Sequence, residues 1–174
     1  VQREEILDSP ARKKIFDEVS SSPGLHFREL QRRTNLAVGM LQHHLEKLKK
    51  VNFIVEKKEG KFSRFYAMSS TVENSSMGVL RQPSTRKIIL FLMKKRMASL
   101  KSISKAVELT PSTAFFHLKK LVESNVVVKK QNSRGISFAI VDKQKIFAVL
   151  NEYKKSFLDE MVDSFIELWE KDLK

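Results

Sequence analysis

The chain repeats itself, and that constrains its fold more than any other feature. Shifted by 73 positions, the sequence lays Pro10 on Pro83, Lys14 on Lys87, Ile15 on Ile88, Leu36 on Leu109 and His44 on His117. Without a gap it continues through Leu45 on Leu118, Leu48 on Leu121, Asn52 on Asn125, Val55 on Val128 and Phe65 on Phe138. Two copies of this length are a duplicated domain rather than a solenoid, which stacks several shorter units to bury its faces. The copies end near Met68 and Val141, and the Ser/Thr/Asn-rich stretch from Ser69 to Ser76 reads as a linker. The expected order is therefore a first domain over 1–68, a linker or helix start over 69–82, a second domain over 83–142 and a C-terminal segment over 143–174.

Each copy carries the same elements. Pro10 to Ser20 reads as a first helix, with Pro tolerated in its first turn and Ile15, Phe16 and Val19 on one face; Ser21, Ser22, Pro23 and Gly24 end it. A second helix is expected over Phe27 to Thr34, with Phe27 and Leu30 inward, followed by a short turn around Asn35 and Leu36. The third, Val38 to Lys50, places Leu41, Leu45 and Leu48 at steps of four and three, a single apolar stripe, and its copy runs from Pro111 to Glu123. Two β-prone runs follow, Phe53 to Lys57 and Phe62 to Met68, around Lys58, Glu59, Gly60 and Lys61. In the second copy, Val126 to Lys130 and Ile136 to Val141 flank Asn132, Ser133, Arg134 and Gly135, so both pairs read as hairpins. The fold class is then mainly α with small β-hairpins (α+β): two tandem winged helix-turn-helix domains plus a long C-terminal helix. A generic small α+β domain is the alternative, disfavoured by the short turn between helices two and three and by the basic residues around the hairpin.

Charge separates along the chain. Of 33 Lys and Arg against 20 Asp and Glu, six and seven respectively lie in 143–174, leaving 27 basic and 13 acidic residues, a net of +14, in 1–142. A concentrated basic surface attracts a polyanion, whose neutralisation releases counterions; a Lys-rich solvated surface is the bland reading of the same charge. The longest uncharged apolar run, Ile88 to Met93, is too short to cross a bilayer, so no membrane partner is expected. Val1 is followed by charge rather than an apolar segment, which reads as a fragment start without a secretory signal and gives the expectation of a cytoplasmic, nucleoid-associated protein. The absence of Cys excludes disulfides, thiolate zinc sites and thiol redox sensing.

The run Leu41-Gln42-His43-His44-Leu45-Glu46-Lys47-Leu48, with a Gly-containing hairpin and the pair Phe65 and Tyr66 beyond it, resembles the ArsR/MarR-like winged-helix regulators, especially archaeal proteins with two such domains. Pro23 to Tyr66 carries most of the resemblance; Ala114-Phe115-Phe116-His117-Leu118-Lys119-Lys120-Leu121 matches more weakly. The resemblance implies transcription regulation. In a helix-turn-helix the third helix enters the major groove and its N-terminal residues reach base edges. The base-reading candidates are Val38, Gly39, Gln42, His43 and Glu46, with Gln42 suited to adenine and His43 to guanine or a phosphate. Phosphate contacts are expected from Arg28, Arg32, Arg33, Lys47, Lys49 and Lys50. In the second copy Pro111, Ser112, Thr113, Phe115 and Phe116 occupy the matching turn, with Lys119 and Lys120 behind. The two Phe residues suit either thymine methyls or a protein interface, so the first copy is the stronger DNA reader. The resemblance also places the hairpin along the backbone or in the minor groove, which makes Lys57, Lys58, Lys61, Arg64, Lys129, Lys130 and Arg134 wing candidates.

His44 and His117 recur at the same position, yet neighbouring His43 and His44 point about 100° apart on a helix, so a packed histidine hydrogen-bonded within its own domain is favoured over a metal ligand. No cofactor or metal is expected. From Lys143 to Lys171 one helix is expected, with Ile146, Leu150, Tyr153, Phe157, Met161, Phe165 and Trp169 along a face that Phe147, Val149, Leu158, Val162 and Ile166 widen. So broad a stripe needs either the winged domains or another chain, and a homodimer is narrowly favoured. No glycine-rich phosphate loop, paired His–carboxylate cluster or Cys nucleophile is present, which argues against an enzyme. The expected function is a sequence-specific double-stranded DNA-binding transcription regulator; the competitor is an adaptor docking on a protein of the transcription machinery or another basal complex.

Overall fold

The computed structural model describes residues 5–59, 61–68, 74–133, 135–157 and 159–172. They belong to two compact units, Val1–Gly78 and Val79–Lys174.

In the first unit a short 3-10 turn at Glu5–Asp8 leads into α1 (Pro10–Ser21), α2 (Phe27–Thr34) and α3 (Val38–Lys50). Pro10 sits in the first turn of α1, where a missing N–H costs no intrahelical bond, and Ile15 and Val19 are fully buried. The helix gives way to Pro23 and to Gly24 at φ +82°, where a Cβ would press within 3.4 Å of Met77 and Tyr66. That bend delivers β1 (Leu25–His26), which pairs antiparallel with β3 (Phe62–Ala67); β3 in turn pairs with β2 (Ile54–Glu59), giving the order β1-β3-β2. The register sets Leu25 opposite Phe65 and Val55 opposite Tyr66. The core joins Ile15, Val19, Leu30, Leu41, Leu45, Leu48, Ile54 and Phe65, with Phe16 and Phe53 edge to face at 5.3 Å beside it. The stretch read as a linker begins α4 (Asn74–Leu80), within which the unit boundary falls; residues 69–73 lie outside the described residues.

The second unit repeats the plan with α5 (Pro83–Met93), β4 (Ala98–Ser99), α6 (Leu100–Ala106), α7 (Pro111–Glu123), β5 (Val127–Asn132) and β6 (Gly135–Ile140), its sheet ordered β4-β6-β5 with Ala98 opposite Phe138. The first strand of each sheet was not expected. Two residues are too few to show alternation, and these strands exist only because a hairpin offers them an edge.

The expected single C-terminal helix is corrected to three: α8 (Lys143–Glu152), α9 (Lys154–Phe157) and α10 (Glu160–Asp172). The chain leaves α8 at Tyr153 (φ −107°, ψ 15°), and Asp159 restarts it, its carboxylate accepting from the Met161 N–H at 3.1 Å and its carbonyl from the Val162 N–H at 2.9 Å. Phe147 and Trp169 stack at 6.0 Å between ring centroids, although in one continuous helix they would be about 33 Å apart. Four-residue spacing survives in the sequence because α10 folds back on α8 and both need an apolar side.

This segment is held by its own unit. Arg86 is 4% exposed; its Nε donates to Asp159 at 2.8 Å and its Nη1 to the carbonyls of Leu80 and Arg81 at 2.8 and 2.9 Å. The guanidinium groups of Arg81 and Arg86 each lie 5.2 Å from the Phe157 ring, and Arg81 also donates to the Ser156 carbonyl at 2.8 Å. Lys143 Nζ bonds the carbonyls of Met93 and Lys95 at 2.6 and 2.9 Å, a cation at the negative end of α5. Of the residues read as an assembly face, Ile146, Leu150, Tyr153, Phe157 and Phe165 are buried here, Trp169 is half-buried and Met161 is exposed; Leu158 lies outside the described residues. Removing one partner of a buried ion pair strands the other, so Arg86→Ala is expected to destabilise the second unit by about 3–5 kcal/mol, read as a lowered urea midpoint, whereas exposed Lys87→Ala stays within about 0.5 kcal/mol.

Candidate nucleic-acid interface

What α3 offers outward follows from what it must hide. Leu41 and Leu48 are fully buried and Leu45 is 3% exposed, each worth about 1.5–3 kcal/mol of burial, so the helix cannot rotate about its axis without uncovering them. Val38, Gly39, Gln42, His43 and Glu46 are accordingly exposed. Met40, half exposed, joins them; as the immediate neighbour of stripe residue Leu41 it gave no outward signal in the sequence. The turn before α3 passes through Asn35 at φ 55°, a left-handed conformation that Asn tolerates, and its N–H bonds the Gln31 carbonyl at 2.8 Å. Ala37 supplies no side-chain cap, and a Cβ on Gly39 would meet nothing within 4 Å, so no capping side chain closes the first turn of α3.

In α7 the stripe of Ala114, Leu118 and Leu121 is fully buried, and Ser112, Thr113, Phe115 and Phe116 are exposed. Its approach repeats the left-handed residue at Glu108, φ 56°. The helix start differs: Thr110 Oγ1 accepts from the Thr113 N–H at 3.2 Å and lies 2.8 Å from the Thr113 hydroxyl, closing the N-terminus that α3 leaves open. Lys120 Nζ stands 4.4 Å over the Phe116 ring, a cation–π contact.

The basic residues sort by what else they touch. Arg28, Arg32, Lys47, Lys50, Lys57, Lys58, Lys61, Lys119, Lys129 and Lys130 are exposed, Lys119 within 3.9 Å of Glu123, while Arg134 lies outside the described residues. Three expected phosphate ligands are engaged within the protein itself. Arg64 is 7% exposed and spans the Gly24 carbonyl at 2.7 Å and Glu59 at 2.8 Å; it ties β3 to the bend before β1. Arg33 bonds Glu29 at 3.0 Å and Ser22 at 2.9 Å, pinning α2 to the end of α1. Lys49 is paired with Glu56 at 2.6 Å, a contact that holds the Glu56 carboxyl below its ordinary pKa. Glu29 is one turn from Arg33 on the same helix, a pair that the sequence offers, whereas Glu56 and Glu59 reach Lys49 and Arg64 from another element. Phe62, 64% exposed at the first hairpin's tip, was also not singled out.

His44 and His117 pack in the corresponding place in each unit, half-buried, but the expected internal hydrogen bond is not found at Nδ1: in both it is buried with no partner among the described residues. Burial pushes both imidazoles below their ordinary pKa; nearby His43, Arg12 and Lys47 push His44 further, and Lys120 does the same for His117. Among the described residues no group of three or more His, Asp or Glu could hold a metal ion.

Residues 9–75 match the family described as an N-terminal HTH domain, and residues 83–129 the family described as bacterial regulatory protein, arsR family. The chain carries two helix-turn-helix domains in tandem. This tandem protein is 29% identical over 140 residues to an uncharacterized HTH-type transcriptional regulator of Methanocaldococcus jannaschii, a match covering 80% of this chain but only 36% of that protein. Among solved structures it is similar to the DIP2311 protein of Corynebacterium diphtheriae, at 15% identity and TM-score 0.34 over 80% of this chain and 27% of that one. It is also similar to a mutant of Lactococcus lactis ZitR, at 12% identity and TM-score 0.37 over 79% of this chain and 95% of that one.

The two histidines give the tandem protein a definite pH signature. Their folded pKa values are depressed, so the unfolded chain binds the extra protons: their contribution is complete above pH 6.5 and is lost as pH falls below that value toward the folded pKa. The urea midpoint is expected to fall between about pH 7.5 and about pH 5, and the double variant His44→Gln, His117→Gln to show a smaller fall over the same interval. Parallel curves for the two proteins would mean that the imidazoles titrate no differently when folded.

Proposed function

We propose that this tandem helix-turn-helix protein is a sequence-specific, double-stranded DNA-binding transcription regulator that acts in the cytoplasm, associated with the nucleoid. The observation that carries the reading is the outward face of α3. Gln42 and His43, two side chains able to pair with base edges, stand exposed opposite a fully buried stripe, beside an uncapped helix N-terminus suited to a phosphate. Arg28 and Arg32 of α2 precede that helix, Lys47 and Lys50 stand in its last turn, and the first hairpin adds Lys57, Lys58 and Lys61, which suits it to the DNA backbone. The net of +14 over 1–142 supplies the long-range attraction. Among the described residues no helix is long and apolar enough to cross a membrane. For assembly of a homodimer, the outer side of α10 remains, where Met161 and Leu168 are 41% and 53% exposed.

A selection from random duplexes defines the preferred site. On it, the double variant Gln42→Ala, His43→Ala is expected to lose about 1–3 kcal/mol and much of its preference over a scrambled duplex. Replacing Lys47 and Lys50 by Ala should weaken both duplexes alike and reduce the slope of log K against log salt by about two, while Lys49→Ala, whose ammonium is already paired, changes it little. No enrichment in the selection, or a salt-independent affinity, would leave the adaptor reading in its place.

A further inference from the structure

The two recognition helices share a buried side and differ sharply on the exposed one. Register by register, Gly39, Gln42, His43 and Glu46 of α3 correspond to Ser112, Phe115, Phe116 and Lys119 of α7, all exposed. Gln42, His43 and Glu46 of the first set can donate to or accept from base edges. The aromatic pair can do neither, and it leaves two phenyl rings at 50% and 54% exposure on a solvated helix. Duplex DNA presents only edges and thymine methyls in its grooves and hides its π faces in the stack. A π face is satisfied by an unpaired base, and sequence-tolerant single-strand binding is built from aromatic rings for the bases and neighbouring cations for the backbone.

The cations are in place. Lys120 Nζ lies 4.4 Å over the Phe116 ring, and Lys119 follows Phe115 and Phe116 one turn along the exposed face. Phe116 is also braced edge-on by the His117 ring, 5.5 Å away at 69°, and His117 is itself anchored half-buried in the unit. The helix start is closed by Thr110, so α7 offers a phosphate less at its N-terminus than α3 does, and more along its side. We propose that the exposed face of α7 stacks unpaired DNA bases on Phe115 and Phe116 and holds the adjoining phosphates with Lys119 and Lys120, so that the second domain favours locally opened DNA. This rests on the nucleic-acid reading of the domains given above. An acidic protein segment is the other occupant that apolar and cationic groups would suit; nucleic acid is favoured because this face is the counterpart of the base-reading face of α3.

Fluorescence anisotropy with the full chain tests the proposal on three labelled probes: a fully paired duplex, the same duplex with a short non-complementary bubble, and an acidic amphipathic peptide. The expected result is at least about tenfold tighter binding to the bubble than to the paired duplex, as one or two stacked bases would give. In both double variants, Phe115→Ala with Phe116→Ala and Phe115→Leu with Phe116→Leu, that ratio should fall toward one. The Leu variant keeps the apolar surface and removes only the π faces, and melting curves of both variants confirm that the exposed substitutions leave the fold intact. Wild-type binding to the duplex without preference for the bubble overturns the proposal and spares the duplex reading; binding to neither DNA overturns both. A preference that persists in the Ala or the Leu variant also overturns it, as does peptide binding that the variants abolish while the bubble ratio stays unchanged.

Discussion

Leu41, Leu45 and Leu48 in one unit, and Ala114, Leu118 and Leu121 in the other, hold the third helices α3 and α7 by a narrow stripe, and the remaining geometry hangs on that attachment. A stripe at steps of four and three covers little more than one side of a helix, so burying it leaves a wide outward face whose composition the core does not dictate. The turn before each helix reinforces the placement. Asn35 and Glu108 both take a left-handed φ near 55°, the bend that lets helix three cross helix two within a few residues. Asn tolerates that conformation through its short polar side chain; Glu at the same place bears a larger cost, which the packing of α7 must offset.

The sheets play a supporting part. Arg64 binds the Gly24 carbonyl and the Glu59 carboxylate at once, so the hairpin, the bend after α1 and the edge strand β1 are fastened by one buried guanidinium. The second unit has no Arg at the matching position, Ser137, which instead lies 3.6 Å from the Met97 sulfur. Its main polar anchor is elsewhere. Arg86 gathers two carbonyls and Asp159, which joins the start of α5 to the C-terminal helices. The units thus share a helical frame and fasten it with different ion pairs.

Much of this was legible because local signals and tertiary demand agree in the repeat. The bounds of α2, α3 and α7 follow from Pro, the apolar periods and the turn residues, and the hairpins from β-prone runs about a Gly-containing turn. Where the reading failed, the cause lies outside the local sequence. The strands Leu25–His26 and Ala98–Ser99 are defined by a neighbour's edge. The break between Tyr153 and Asp159 preserves the four-residue period of the flanking helices, so periodicity alone reads through it. Lys49 and Arg64 look like free cations until Glu56 and Glu59 are brought beside them by folding, whereas the Arg33–Glu29 pair is an i,i+4 pair of one helix that the reading passed over. The outward positions of α3 were legible because a helix has only one apolar side here, while Met40, next to a stripe leucine, was not.

The repeat also separates what packing requires from what it leaves open. In the third helices of the two copies His44 and His117, Leu45 and Leu118, and Leu48 and Leu121 are identical and wholly or half hidden, although the buried Leu41 corresponds to Ala114. Replacing a buried leucine changes a volume that its neighbours must refill, at about 2–5 kcal/mol for truncation to Ala. One residue before His44 and His117 the side chain is exposed, and His43 can stand where Phe116 stands at almost no cost to the fold. Exposed large apolar residues still carry a cost in solubility, so two adjacent phenylalanines on an otherwise basic face are not what a merely solvated helix would present. The fold thus licenses divergence at the outward positions without choosing its direction. The move from Gln, His and Glu to Phe, Phe and Lys exchanges hydrogen-bonding capacity for π surface and adds positive charge, a coherent chemical change rather than drift toward polarity.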